Sequence, residues 1–132
     1  MMTFSYFAFG SNMLTKRMHI NCPSARYKYI AKLKDFKFAF VGYADAWKGA
    51  TATVIPSPSD SVWGVVWEIS KQQEPLLDQQ ESGYKGVAVT VETNEGDPVV
   101  CKLYQKPDPK ANKDYNKPST IYKAVILQGA KE

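Results

Sequence analysis

The stretch Phe4-Ser5-Tyr6-Phe7-Ala8-Phe9-Gly10-Ser11-Asn12-Met13 decides how this chain is read. Phe4 to Phe9 is short, apolar and aromatic, the composition of a buried β-strand. It stops at Gly10-Ser11-Asn12, three turn-forming residues in a row. From Leu14 to Asn21, Met13, Arg17 and Ile20, or Leu14 and Met18, fall at helical spacing, with Asn12 or Thr15 as the expected cap. The sequence therefore predicts a strand, a tight loop and a helix start. That arrangement turns backbone N–H groups out of a loop towards an anion or a carbonyl oxygen.

Outward from this stretch, period-two patterns dominate. Tyr27, Tyr29, Ala31 and Leu33, then Phe36, Phe38 and Phe40, predict one or two strands broken near Lys34-Asp35. Gly42 to Gly49 is expected as a loop. Ala50 to Ile55 reads as a strand ended by a turn at Pro56-Ser57-Pro58-Ser59, where prolines remove donors. Val62 to Ile69 reads as a central strand, with Gly64 marking a bulge or a close backbone approach. Ser70 to Gln80 reads as helical, with Ser70 as N-cap and Leu76-Leu77 on the inner face. Pro75 fits only in the first turn of a second short helix starting near Glu74. Two strands follow, Val87 to Thr93 and Val99 to Gln105, joined through the hairpin signal Asn94-Glu95-Gly96-Asp97. Pro107 to Lys117 is a polar, proline-bearing loop, and Ser119 to Glu132 a terminal helix. Five to seven strands with two or three short helices make an α+β fold, a compact, mixed but mostly antiparallel β-barrel with a few flanking short helices.

Bulk properties set the class. A chain of 132 residues with 44% hydrophobic and 23% charged residues fits one folded domain over residues 1–132. No apolar run approaches the ~20 residues that span a bilayer. The first residues lack both a basic and a long apolar region, so a cytoplasmic protein without a membrane partner is expected. The net charge of +4 arises from 17 basic and 13 acidic residues. Its lysines are spread among carboxylates, a solvated surface rather than a nucleic-acid patch. Cys22 and Cys101 belong to no Cys-x-x-Cys pair and His19 is the only histidine. The reading is two reduced, buried thiols and no metal site.

Taken alone, Gly10-Ser11-Asn12 is an ordinary turn and Glu81 an ordinary surface glutamate. In combination they resemble the γ-glutamylcyclotransferase family. Tyr6-Phe7-Ala8-Phe9-Gly10-Ser11-Asn12-Met13 is similar to that family's Tyr-Gly-Ser-Asn signature, with Phe9 at the tyrosine position. Val62-Trp63-Gly64-Val65-Val66-Trp67 resembles the strand leading into the helix of the catalytic acid. Leu77-Asp78-Gln79-Gln80-Glu81 ends on the family's glutamate, with Gly86 five residues later. Tyr122-Lys123 and Gln128-Gly129-Ala130-Lys131-Glu132 complete a match that runs nearly the whole chain.

The resemblance implies a β-barrel with flanking helices and a reaction without metal or organic cofactor. In it the α-amine of a γ-glutamyl group attacks its own γ-carbonyl, closing 5-oxoproline and releasing the attached amine. Glu81 is implied as the catalytic acid/base. Tyr6, Phe7, Ala8, Phe9, Gly10, Ser11 and Asn12 are implied as the loop holding the small-molecule γ-glutamyl substrate, and Tyr122 as a further substrate contact. The amides of Gly10 and Ser11 are the natural donors to a developing oxyanion, with Asn12 shaping the loop. Asp78, about one turn before Glu81, would raise its pKa if it lay close, but reads as solvent-exposed.

Phe9, Ser82 and Ala88 depart from the family pattern, where tyrosine, glycine and tyrosine are usual, and this bears on substrate range. Residues 43–47 and 107–115 are the loops expected to meet the leaving amine. Alternatives are a cyclotransferase acting on γ-glutamyl-amines or glutathione, and a non-catalytic binding protein on the same fold. The family also implies homodimerisation and further helix beyond Glu132, so the domain is expected to lack a C-terminal extension.

Overall fold

The computed structural model describes residues 2–20, 22–44, 49–81, 84–105, 126 and 128–130. Within them five strands close into a barrel: β1 (Thr3–Ala8), β2 (Arg26–Ala44), β3 (Gly49–Ser70), β4 (Lys85–Thr93) and β5 (Pro98–Gln105). Their order around the barrel is β1-β3-β2-β4-β5. Every neighbouring pair is antiparallel except β1 and β5, which close the barrel in parallel at Tyr6 opposite Lys102. Helices α1 (Thr15–Met18) and α2 (Glu74–Gln80), each preceded by a 3-10 turn (Ser11–Met13 and Lys71–Gln73), complete the described elements. The expected mixed, mostly antiparallel α+β barrel is the fold observed.

Alternation along the strands divides the core in two. Phe7, Phe9, Ala31, Leu33, Val54, Val62, Val66, Val91, Cys101 and Leu103 fill the barrel. The intervening residues Tyr6, Ala8, Trp67, Ile69 and Tyr104 face the other way, where Met13, Met18, Cys22 and Leu77 cover them. A strand of this barrel is thus apolar on both faces wherever a helix lies over it, which is why Phe4 to Phe9 shows no polar alternation. Gly64 confirms the expected close approach: a Cβ there would stand 2.4 Å from the Ala8 carbonyl oxygen and 2.7 Å from Cζ of Phe7.

Several local expectations are corrected. The break at Lys34-Asp35 does not end a strand. Register jumps from Lys34 opposite Ser61 to Phe36 opposite Pro56, so a single residue on β2 faces a four-residue excursion on β3. Asp35 and Ser59 take left-handed backbone conformations (φ 67° and 71°), and the Ser59 amide donates to Asp35 Oδ1 at 3.2 Å. The prolines therefore sit in and beside a bulge that bends one continuous strand, a place where missing donors cost little. Accordingly the segments expected as separate strands at Ala50 to Ile55 and Val62 to Ile69 are both parts of β3. Of the expected loop at Gly42 to Gly49, residues 42–44 continue β2, Gly49 begins β3 and residues 45–48 lie outside the described residues.

Neither Asn12 nor Thr15 caps α1. Leu14 holds that position without a side-chain bond, because the Asn12 amide is engaged elsewhere. Ser70 precedes the 3-10 turn without capping it, and α2 begins at Glu74 with Pro75 in its first turn, the only place the ring is tolerated. Leu77 is fully buried but Leu76 is 46% exposed, since one turn of this short helix buries only one of two adjacent residues. The β4–β5 hairpin is as expected, with Gly96 at φ 90°. Cys22 and Cys101 are free and buried in different core clusters. Residues 107–117 and 122 lie outside the described residues. Of the expected terminal helix, residues 126 and 128–130 are described and are helical.

Candidate active site

The site is assembled where the loop after β1 meets the end of α2. The position of α2 is fixed at its entrance by Ser24, whose N–H and hydroxyl donate to Gln73 Oε1 at 3.1 and 2.6 Å while its oxygen accepts from the Ser70 amide at 3.0 Å. The helix closes with the Glu81 amide bonded to the Leu77 carbonyl at 3.0 Å, so Glu81 caps its C-terminus, and its side chain meets the loop at Asn12. The loop is fixed in turn by Trp67, whose indole N–H donates to the Asn12 carbonyl at 3.0 Å, and by the Met13 amide on Gly10 O at 3.1 Å. Behind it, Gly129 packs so tightly that a Cβ would lie 2.6 Å from the Leu14 nitrogen.

Asn12 joins the parts. Its Nδ2 donates to Glu81 Oε1 and to the Tyr6 hydroxyl, both at 2.8 Å, and its Oδ1 accepts from Gln80 Nε2 at 3.0 Å. A carboxylate only accepts, so the amide must turn its NH₂ towards Glu81, and Gln80 completes its remaining oxygen. With Asn12 4% and Tyr6 5% exposed, this is a buried polar network with its members paired, the kind that holds one geometry.

Burial pushes the Glu81 carboxyl above its ordinary value. The bond from Asn12, the charge of Arg17 and the bond from Gln80 each pull it back without cancelling that rise. A carboxylate raised in this way holds a proton more readily than an ordinary surface glutamate, as a group that takes and returns one must.

The structure therefore brings Tyr6, Asn12 and Glu81 into direct contact. Ala8 packs in the same cluster as Tyr6. Phe7 and Phe9 instead turn their rings into the barrel, Phe9 edge-on to Phe38 at 6.1 Å and tilted on Phe7 at 6.4 Å. Any contact they make with a ligand is a backbone contact. Gly10 and Ser11 form the loop itself, and Tyr122 lies outside the described residues.

Asp78 is solvent-exposed, as expected, and accepts from Lys102 Nζ at 2.8 Å and from the Tyr104 hydroxyl. Burial opposes its ionisation, yet these partners hold its carboxyl below the ordinary range. Sequence reading missed Gln80, Trp67 and Tyr104. Gln80 was legible as the neighbour of Glu81. Trp67 and Tyr104 carry no local signal, because their roles come from the barrel closing.

Among the described residues, no group of three or more His, Cys, Asp or Glu side chains is placed to hold a metal ion, and no helix is long and apolar enough to cross a membrane.

Comparison with known proteins agrees with this geometry. Residues 61–132 match the model of the AIG2-like family. The chain is 44% identical to a bovine (Bos taurus) γ-glutamylcyclotransferase, over 98% of its own length and 71% of that protein. It is 41% identical to the human (Homo sapiens) γ-glutamylcyclotransferase over the same shares. A solved structure of a γ-glutamyl cyclotransferase superposes with a TM-score of 0.91 at 40% identity, covering 98% of this chain and 79% of that one. A barrel whose first loop meets a half-buried glutamate, matched over nearly its full length by these relatives, places the chain in the γ-glutamylcyclotransferase family, a family of enzymes.

Proposed function

We propose that this enzyme converts γ-glutamyl-amino acids to 5-oxoproline and the free amino acid, with Glu81 as the sole acid/base. The observation that carries the reading is the half-buried carboxylate of Glu81, held 2.8 Å from Asn12 Nδ2 in the loop that also presents Gly10 and Ser11. Glu81 takes a proton from the substrate's α-ammonium. The freed amine attacks the γ-carbonyl carbon, forming the new C–N bond, and the carbonyl electrons move to oxygen. The amides of Gly10 and Ser11 meet that charge. When the tetrahedral centre collapses, the original amide C–N bond breaks and protonated Glu81 returns its proton to the departing amine. The second proton of the ring nitrogen follows through the same carboxylate, leaving a neutral lactam and an ammonium. No proton is gained or lost overall. Ring closure is intramolecular, so holding the amine close to the carbonyl contributes much of the rate.

Tyr6, Ala8 and the backbone from Phe7 to Asn12 form the wall on the γ-glutamyl side, and Tyr122 supplies a contact to its α-carboxylate or amine. Phe9 is compatible with this because its ring is core, so the absent tyrosine hydroxyl costs packing nothing. One domain over residues 1–132 carries the reaction, acting in the cytoplasm on a small molecule as a homodimer.

The test is a panel: γ-glutamyl-alanine, Nε-(γ-glutamyl)-lysine and glutathione, each assayed for released 5-oxoproline. The reading predicts release from γ-glutamyl-alanine at a kcat/KM at least tenfold above the other two. Preference for γ-glutamyl-lysine or glutathione would move the substrate class. Binding of all three without product would make the chain a binding protein on this fold.

A further inference from the structure

Beyond the residues that touch Glu81, α2 is held by its contacts with β5. Glu74 and Asp78, one turn apart, face β5. Lys102 Nζ lies 2.9 Å from Glu74 Oε2 and 2.8 Å from Asp78 Oδ1, and the Tyr104 hydroxyl donates to the same Asp78 oxygen. Lys102 and Tyr104 share one face of β5, two residues apart, as strand alternation requires. Tyr104 is 4% exposed, and its ring stands edge-on to Tyr6 with centroids 5.7 Å apart. Tyr6 is the residue whose hydroxyl accepts from Asn12, the donor to Glu81. Lys102 in turn lies opposite Tyr6 across the parallel β1–β5 pairing that closes the barrel.

We propose that Tyr104, with Asp78 and Lys102, is a positioning clasp for Glu81: it pins α2 and the Tyr6 ring to β5 and so fixes where the catalytic carboxyl sits. None of the three touches Glu81 by hydrogen bond, and the inference rests on the reading of Glu81 as the acid/base. Two routes lead from the clasp to that carboxyl. One runs along α2 from Asp78 to Glu81 at its C-cap, the other through the Tyr104 and Tyr6 rings to Asn12. A seven-residue helix is too short to hold its own geometry, so the clasp decides how far Glu81 is withdrawn from water.

The groups acting on Glu81 are Asn12 from the loop after β1, Arg17 from α1, Gln80 from α2, and Tyr104 from β5, whose hydroxyl is held protonated by burial, by Asp78 and by the negative charge of Glu81. Loosening the clasp admits water to the carboxyl and lets its midpoint fall towards that of an ordinary glutamate.

The experiment follows the Glu81 carboxyl carbon by ¹³C NMR titration, assigned by its loss in Glu81→Gln, alongside kcat and KM for γ-glutamyl-alanine. The proteins are wild type, Tyr104→Phe, Asp78→Asn and the double variant. The expected result is a Glu81 midpoint lower by about half a pH unit or more in each single variant and no further in the double. A three- to tenfold loss of kcat, roughly, should accompany it with KM within about twofold. A role in stability alone would lower Tm and leave both quantities in place, and that overturns the proposal. So does a midpoint or kcat that stays at the wild-type value in both single variants. Should Tyr104→Phe not fold, Asp78→Asn cuts the same clasp from its exposed side. If Glu81→Gln turns over normally, the acid/base reading fails, and if the wild type is inert the titration alone decides whether the clasp holds the carboxyl.

Discussion

Asn12 is the residue on which most depends, because one amide group bonds Tyr6, Gln80 and Glu81. Asn12→Ala leaves the Tyr6 hydroxyl and the carboxylate short of a buried donor, at a cost of about 1–3 kcal/mol in stability. Because that bond favours the ionised form of Glu81, its loss raises the carboxyl further. The acid limb of kcat/KM should move to higher pH, with roughly a tenfold loss in rate, measurable by initial rates across pH. Glu81 itself has a midpoint raised on folding. Its ionised form therefore costs the folded state stability above the ordinary glutamate range, most fully above the folded midpoint. Glu81→Gln should then raise Tm at neutral pH and lose that advantage as pH falls below the folded midpoint. An equal Tm difference at all pH values would contradict the raised midpoint. The role of Glu81 was legible only through resemblance. As residues, Asn12 suggested a helix cap, a reading that fails because Tyr6, Gln80 and Glu81 claim its amide, whereas Asp78 is solvent-exposed as expected.

The strands were legible from alternation and from turn residues, and the β4–β5 hairpin from Asn94-Glu95-Gly96-Asp97. What local signals mistook was continuity. Lys34-Asp35 and Pro56-Ser57-Pro58-Ser59 each read as an end, and together they are one bulge, because each supplies what the other lacks in pairing. Helix ends were poorly legible for a related reason. In elements of four and seven residues, tertiary bonds replace caps. Gly64 was legible as a tight contact, and the distances say how tight. Gly64→Ala sets a Cβ against the Ala8 backbone oxygen, which has no rotamer to escape to. The expected loss is about 2–3 kcal/mol, read from denaturant unfolding. It should also lower activity, since Ala8 leads directly into the substrate loop.

The barrel keeps two cores apart, one inside and one under the helices, and the thiols show it. Cys101 lies in the first and Cys22 in the second. Burial raises both, Cys101 to about 11. At pH 8 both should be inert to a thiol reagent in the native protein and both should react once it is unfolded, with Tm indifferent to reductant. Rapid labelling of the native protein would contradict the packing described. The closed barrel also explains why the site needs so few residues. Five strands fix the loop after β1, the face of β5 and the start of α2 relative to one another, and the proposed mechanism asks only a single glutamate just past that helix to move the proton. The most direct measurement is the rate of 5-oxoproline release from γ-glutamyl-alanine by wild type and Glu81→Gln under one set of conditions. The account predicts an active wild type and a variant slower by about 10³-fold or more with its fold intact by circular dichroism. A Glu81→Gln enzyme that keeps the wild-type rate would contradict it.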